Sequence, residues 1–487
     1  MTPFALLPLL SMTQSAPPPL QREFRGVWVA TVANIDWPSK PGLGSTEQQA
    51  ELVKILDKAA ELNLNAIIFQ VRPSTDAFYQ SKFEPWSSYL TGRQGRAPAP
   101  LWDPLEFAVA EAHKRGIELH CWFNPYRAQH PAQKGPVASR HISRTNPRLV
   151  KKYGDFLWMD PGEPEVQQRS LDVILDVVKR YDVDGVHIDD YFYPYKEKGA
   201  DGKIMDFPDG PSWQRYRDAG GTLERDDWRR QNVDTFIEKV YKSIKGEKPW
   251  VKFGISPFGI YRPGVPSGIK AGVDQYADLY ADARKWLAEG WCDYFTPQLY
   301  WPIKQTAQSY PVLLKYWMDQ NEMGRHIWPG NFTSRTNPSD GKWPTAEVIN
   351  QIQTTRDSGA GGNVHFSMKA FTADYGGITE ALEAGPYKSK ALVPASPWLD
   401  PKPPKAPSVT VASEGIGAWS LAVESPDKDV RFFVVRTRTG TTWGAPTVTS
   451  SAGFIIRTDS GTPPDAAAVS VIDRAGNESP AKLVALN

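Results

Sequence analysis

The chain has 487 residues, more than one ordinary domain holds, so a large body with an appendage is expected. Its 56 Lys and Arg balance 55 Asp and Glu to a net charge of +1, which leaves no basic field for nucleic acid or an anionic membrane. With 2 cysteines no four-cysteine metal site can form; Cys121 and Cys292 fall on different predicted strands and are expected as free buried thiols.

Residues 3–10 are apolar and precede small residues and Pro17 to Pro19. They resemble the hydrophobic part of a signal peptide, so residues 1–21 are expected to be a signal-like or disordered segment and the protein to be exported. No later stretch is apolar enough to span a bilayer.

From residue 22 to 392, strand-like runs alternate with helical patterns. Strands are expected over 24–32, 66–72, 118–125, 185–191, 252–259, 294–301, 326–332 and 363–371. Helices fit over 46–62, 104–115, 164–181, 226–245, 274–289, 306–320 and 345–358. Eight strand–helix units predict an α/β fold, a (β/α)8 TIM barrel with enlarged loops. A doubly wound sheet would normally show a Gly-rich phosphate loop after the first strand, and none is present. The Pro-rich stretch 393–407 reads as a stiff linker. Residues 408–487 show short β-rich runs (417–424, 430–437 and 453–458) between polar turns, the pattern of a small all-β sandwich.

In a barrel the chemistry lies at the carboxyl ends of the strands. The fourth strand reads Asp184-Gly185-Val186-His187-Ile188-Asp189-Asp190-Tyr191. Alternation puts Val186 and Ile188 on one face and His187 and Asp189 on the other; Asp190 joins Asp189 only where the strand ends or bulges. His187 sits one step deeper and reads as a barrel-layer or supporting histidine. The second strand offers Gln70 and Arg72 on one face, and Asp76 follows in its loop. The third offers Trp122 and Asn124, followed by Tyr126. The sixth offers Gln298 and Tyr300, followed by Trp301. These neutral donors, acceptors and aromatic faces, with Tyr191, suit a polyhydroxylated or acetamido sugar.

Two carboxylates are the minimum equipment for most glycoside hydrolysis. The seventh strand ends in Pro329-Gly330-Asn331-Phe332 with no acid, which disfavours an enzymic nucleophile there. Adjacent Asp189 and Asp190 fit a substrate-assisted route instead. One aspartate orients a 2-acetamido group whose oxygen attacks the anomeric carbon, and the other protonates the leaving oxygen. Asp76, Glu84 and Asp160 remain alternatives, for instance as the base of an inverting mechanism. No histidine pair supports a metal, no Gly-x-Ser-x-Gly elbow supports a nucleophilic serine, and no cofactor is called for.

The fourth strand resembles that of chitinase-type enzymes, Asp-Gly-(apolar)-Asp-(apolar)-Asp-(aromatic)-Glu. Here His187 replaces the first inner aspartate, Asp189 keeps the second, and Tyr191 stands at the acid glutamate. That leaves Asp190, or a loop carboxylate, as the acid. A longer series of motifs runs in order over about residues 22–385. It comprises Phe24-Arg25-Gly26-Val27-Trp28, Gln70-Val71-Arg72-Pro73, Asp76-Ala77-Phe78-Tyr79, Pro85-Trp86-Ser87 and Asn124-Pro125-Tyr126-Arg127. His187-Ile188-Asp189-Asp190-Tyr191, Ser256-Pro257-Phe258-Gly259 and Pro297-Gln298-Leu299-Tyr300-Trp301 complete it. This series resembles the glycosyl-hydrolase-like family 10, and the final stretch 469–479 resembles the last strands of fibronectin type III modules. The resemblance implies a bacterial envelope hydrolase, periplasmic, envelope-bound or secreted, that cleaves peptidoglycan glycan strands stripped of their stem peptides. Two further readings stay open: a wall-glycan-binding protein without catalysis, tethered to the wall or a protein by its C-terminal module, and a hydrolase of another extracellular polysaccharide.

Overall fold

The computed structural model describes residues 16–340, 343–458 and 461–486. The signal-like run expected at 3–10 lies outside the described residues. Among the described residues two units are formed, residues 21–401 with 474–476, and residues 402–473 and 477–486 with residues 16–20.

The first unit is a parallel barrel. Its strands are β1 (Phe24–Val29), β2 (Ala66–Arg72), β3 (Glu118–Phe123), β4 (Gly185–Ile188), β5 (Lys252–Ile255) and β6 (Tyr294–Phe295). They continue with β7, in two pieces (His326–Ile327 and Gly330–Asn331), and β8 (Gly362–His365). Strand β8 pairs with β1, the first piece of β7 with β6 and the second with β8, which closes the ring. Pro329 splits β7 because it has no N–H to give the ladder, and Gly330 N resumes it by donating to Pro297 O at 2.9 Å.

The helices that alternate with the strands are α1 (Ser45–Glu61), α2 (Pro104–Lys114), α3 (Pro164–Arg180), α4 (Arg225–Glu247), α5 (Ala283–Ala288), α6 (Tyr310–Asp319), α7 (Thr345–Asp357) and α8 (Ile378–Ala384). Helix α2 starts as its sequence dictates: Pro104 occupies the first turn, and the Asp103 carboxylate accepts from Leu105 N and Glu106 N at 3.0 and 3.2 Å.

Two expected elements differ. The helix over 274–289 is broken into a turn, Gln275–Asp278, and α5, because Asp274 and Asp282 each cap a separate start and Tyr280 takes a left-handed φ of 52°. The strand expected over 363–371 stops at His365, and Met368–Thr372 is helical, its Lys369 N–H held by Asp36 Oδ1 at 2.6 Å. Several other strands also end before their expected limits, and the released residues line the mouth.

Inside the barrel, Phe24, Trp28, Ile68, Trp122, Tyr294 and Trp328 pack together, while Val27, Phe69, Cys121, Val186 and Ile188 face the helices. Both cysteines are free and buried. The interior also carries a polar column. Lys252 Nζ lies 2.9 and 3.0 Å from the Glu118 oxygens, and His120 Nε2 lies 3.0 Å from Glu118 Oε2. Tyr294 OH bridges His120 Nδ1 at 2.8 Å and His187 Nδ1 at 3.0 Å. Buried charges persist only when paired in this way. Gly185 and Gly254 make the room: a Cβ at Gly254 would lie 1.9 Å from the Tyr294 ring, and one at Gly185 would lie 2.4 Å from His120.

The barrel unit continues past its last helix. Ala391–Leu392 pairs in parallel with Gln21–Arg22, and the Trp398 indole donates to Asp293 Oδ1 at 2.9 Å, so the first part of the expected linker is packed. The second unit consists of two antiparallel sheets. Ser408–Gly415, Ala418–Glu424 and Gly453–Arg457 form one. Val430–Thr439, Ala466–Asp473 and Lys482–Ala485, with the short Thr442–Trp443 and Thr447–Thr449, form the other. Trp419, Leu421 and Val423 from the first meet Val435, Ala467 and Val469 from the second, which makes a β-sandwich. No helix among the described residues is long and apolar enough to cross a membrane.

Candidate active site

A cavity of about 490 Å³ opens at the carboxyl end of the barrel, and every strand contributes to it. Trp28 lies near the end of β1 and Ala30 follows it, Gln70 lies near the end of β2 and Trp122 near the end of β3, and Asp189, Asp190, Tyr191 and Tyr195 follow β4. Ser256 and Phe258 follow β5, Gln298, Tyr300 and Trp301 follow β6, Phe332 and Arg335 follow β7, and Phe366 follows β8. Asp189 and Asp190 are the carboxylates on this lining among the described residues.

The strand β4 stops at Ile188, and this is why both aspartates face the cavity. Asp189 is pinned by three N–H donors. Trp122 Nε1 and Asn124 Nδ2 reach Oδ2 at 3.0 and 2.5 Å, and Tyr191 N reaches Oδ1 at 3.3 Å. Asp190 accepts from the Tyr195 hydroxyl and is also bonded by the Gln298 amide. Burial, then the charge of Asp190, pushes Asp189 up to about 7 against the pull of Arg127 and its donors. Burial raises Asp190 as well, with Tyr195 and Gln298 pulling back. Two buried, adjacent carboxyls titrate as a pair, and this one gives up its last proton only near neutral pH. Arg127 is their counter-ion; its guanidinium lies 4.3 Å over the Tyr191 ring.

Of the residues expected from the sequence, Gln70, Trp122, Asp189, Asp190, Tyr191, Gln298, Tyr300 and Trp301 line the cavity. The others stand behind its wall. Gln70 Nε2 donates to Asn124 Oδ1 at 2.7 Å, so Asn124 is a strut between Gln70 and Asp189. Arg72 leaves the inner face because β2 bulges at Val71. Gln70 pairs with inward Trp122 and Arg72 with outward Phe123. Arg72 forms a bidentate pair with buried Glu84 at 2.7 and 2.6 Å. That pair also engages Glu84, one of the loop alternatives. Asp76 is fully buried, accepts from Gln94 at 3.4 Å and is raised to about 6 by burial. Asp160 accepts from Ser212 Oγ at 2.7 Å and Gly162 N at 2.9 Å, away from the lining. Tyr126 is buried against Phe236, ring centroids 5.3 Å apart.

His187 supports the floor from below. The Trp28 indole, which can only donate, lies 3.2 Å from His187 Nε2, so that nitrogen accepts and the ring proton sits on Nδ1, facing Tyr294. Ser256 Oγ lies 2.9 Å from the same Nε2. Burial lowers His187 well below the ordinary imidazole range, so it is neutral and orients Trp28 and Ser256.

Strand parity missed Arg127, Tyr195, Phe332 and Arg335, which lie beyond the barrel strands; Arg127 opens a short antiparallel strand, Arg127–Gln129, and Arg335 lies on the turn Thr333–Thr336. Only the motif Asn124-Pro125-Tyr126-Arg127 and the aromatic run after Asp190 pointed toward the first two.

A family model described as glycosyl hydrolase-like 10 matches residues 23–340. Glycosyl hydrolase YngK of Bacillus subtilis (strain 168) is 42% identical over 418 residues, 84% of this chain and 79% of its own length. Glycosyl hydrolase DigH of Escherichia coli (strain K12) is 38% identical over 316 residues, 61% of this chain and 69% of its own length. Among solved structures, the glycoside hydrolase domain of PgaB (BpsB) from Bordetella bronchiseptica has a TM-score of 0.47 at 12% identity, over 75% of this chain and 98% of that one. An endo-β-1,4-mannanase from Thermotoga petrophila has a TM-score of 0.44 at 10% identity, over 96% of this chain and 97% of its own. The family match, with the barrel and its carboxylate-bearing cavity, makes this chain a member of the glycosyl hydrolase-like 10 family and a glycoside hydrolase.

Proposed function

We propose that the protein cleaves N-acetylated glycan strands, peptide-free peptidoglycan foremost, with the substrate's own acetamido group as nucleophile. The observation that carries this reading is the position of the carboxylates. Asp189 and Asp190 are the acids on the cavity lining among the described residues, and they are neighbours on one wall. Two enzymic carboxylates acting by direct displacement must flank the sugar, about 5–5.5 Å apart for retention or about 6.5–9.5 Å for inversion with water between. A one-sided pair suits a substrate that brings its own nucleophile.

One aspartate of the pair accepts the acetamide N–H as an anion, and the other carries the shared proton. The acetamide oxygen attacks the anomeric carbon as the glycosidic bond breaks, and the protonated aspartate passes its proton to the leaving oxygen. Water then opens the cyclic intermediate, returning a proton to that aspartate. Tyr191, Tyr300 and Trp301 offer faces for the sugar rings. The substrate follows from the resemblance to hydrolases of denuded strands, as does a site in the periplasm, on the envelope or outside. The C-terminal sandwich, whose stretch 469–479 resembles in sequence the last strands of fibronectin type III modules, is proposed to contact the wall or a protein.

The test is release of reducing ends from peptide-free strands. Turnover that is lost in both Asp189→Asn and Asp190→Asn supports the reading. Full activity in either variant overturns the site assignment, and binding without product favours a glycan-binding role.

A further inference from the structure

The lining carries two arginines and two carboxylates, and one of the arginines acts on the carboxylates. Arg127 pulls on the Asp189–Asp190 pair, and His130, also on the lining, is neutral because burial lowers it to about 4. Arg335 is left over. It sits on the turn Thr333–Thr336 after β7, with its guanidinium 5.0 Å over the Phe332 ring. Among the described residues that guanidinium has no carboxylate and no hydrogen-bond partner beyond the ring. Phe332 packs 4.8 Å from Tyr300, whose hydroxyl lies in the field of Asp190 and Asp189. The lining therefore runs from the aspartates over two aromatic rings to an unengaged cation. Lying over Phe332, the guanidinium keeps its N–H fork unengaged, the donor set that suits a carboxylate.

We infer that Arg335 is a specificity-determining residue that binds the free carboxylate of an acidic sugar adjoining the N-acetylated sugar at Asp189 and Asp190. This rests on the proposed hydrolase reading and sharpens it. In peptidoglycan the carboxylate is that of the muramic acid lactyl ether. A stem peptide converts that group to a neutral amide, so Arg335 rewards strands from which the peptides have been removed. A uronic acid offers the same carboxylate from a different glycan.

Binding and initial rates are measured for three ligands: peptide-free peptidoglycan strands, the same strands with their carboxyls reduced to alcohols, and hyaluronan oligosaccharides. The native protein is expected to bind the acidic strands about tenfold more tightly than the reduced ones, the range of one charge-assisted hydrogen bond. In Arg335→Gln that ratio falls to about one, and Arg335→Met repeats the test should the first variant not fold; both keep binding to reduced strands as the sign of an intact cleft. A native ratio near one, or a ratio that survives in the variants, overturns the inference. Arg335-dependent preference for peptidoglycan strands assigns the lactyl source, and the same preference for hyaluronan assigns the uronic one. A charge preference without release of reducing ends leaves this inference standing and sinks the hydrolase reading; turnover without the preference does the reverse.

Discussion

Asn124 donates its side-chain amide to Asp189 Oδ2 at 2.5 Å, so a residue that does not line the cavity holds one that does. The strut continues to Gln70, whose Oε1 accepts from Thr31 N and Val32 N at 2.9 and 2.8 Å. Replacing Asn124 by Ala removes a donor to the charged carboxylate and leaves Gln70 Nε2 buried without its partner. We expect turnover to fall on the order of 10²-fold and stability by about 1–3 kcal/mol. Rate assays with denaturant titrations check this; unchanged turnover would dismiss the strut.

The raised acid makes stability depend on pH. Asp189 stands at about 7 in the fold, against an ordinary 3.8. Between those values the folded chain binds more protons than the unfolded one, so stability is greatest below the window and declines as pH rises through it. Asp189→Asn therefore raises the melting temperature at pH 8 and changes it little at pH 4. Equal shifts at both would contradict a buried, raised carboxyl. For the same reason the native rate should fall as pH rises past about 7, when the pair loses its shared proton.

The polar column predicts a stability effect far from the cleft. Tyr294→Phe takes away the hydroxyl between His120 and His187 and leaves two buried ring nitrogens without that partner. A loss of about 1–3 kcal/mol is expected, read from the denaturation midpoint. Turnover drops less than in Asn124→Ala, since Trp28 and Ser256 still hold His187.

Arg72 separates folding from chemistry. Arg72→Met strips Glu84 of its bidentate partner, leaving Arg169 at 3.7 Å as its remaining cation. The buried charge should cost about 3 kcal/mol or more, with KM on glycan strands unchanged. A raised KM at native stability would return Arg72 to the substrate.

Gly254→Ala tests the space reserved for Tyr294. A Cβ there lies 1.9–2.4 Å from three ring atoms, so the ring or β5 must shift. Overpacking of this kind costs about 1–3 kcal/mol, seen as a lower melting temperature. An unperturbed melt would mean that the barrel interior is looser than described.

The eight strands were legible because each is a short apolar run bounded by turn residues, with inner and outer residues alternating. The aspartate pair was legible because Val186 and Ile188 fix the face of Asp189 and the aromatic run marks where β4 stops. Arg72 was misplaced because a bulge is a two-strand event: nothing in Gln70-Val71-Arg72 signals that Val71 will be passed over by β3. The helix over 274–289 failed because an internal Asp282 cap interrupts an otherwise helical pattern.

By itself the chain's pattern of apolar and polar residues determined a barrel, a strand that delivers two acids and an aromatic-rich mouth, because all of these depend on local alternation. Only the tertiary structure decided which polar residues face the cavity and which brace it. Asn124, His187 and Arg72 resemble Gln70 and Gln298 in sequence, and differ only in what the neighbouring strands place opposite them. It alone also brought Arg127 and Arg335, distant in the chain, to the same cleft, since both lie beyond the barrel strands, where the alternation of the barrel no longer applies and packing sets their place.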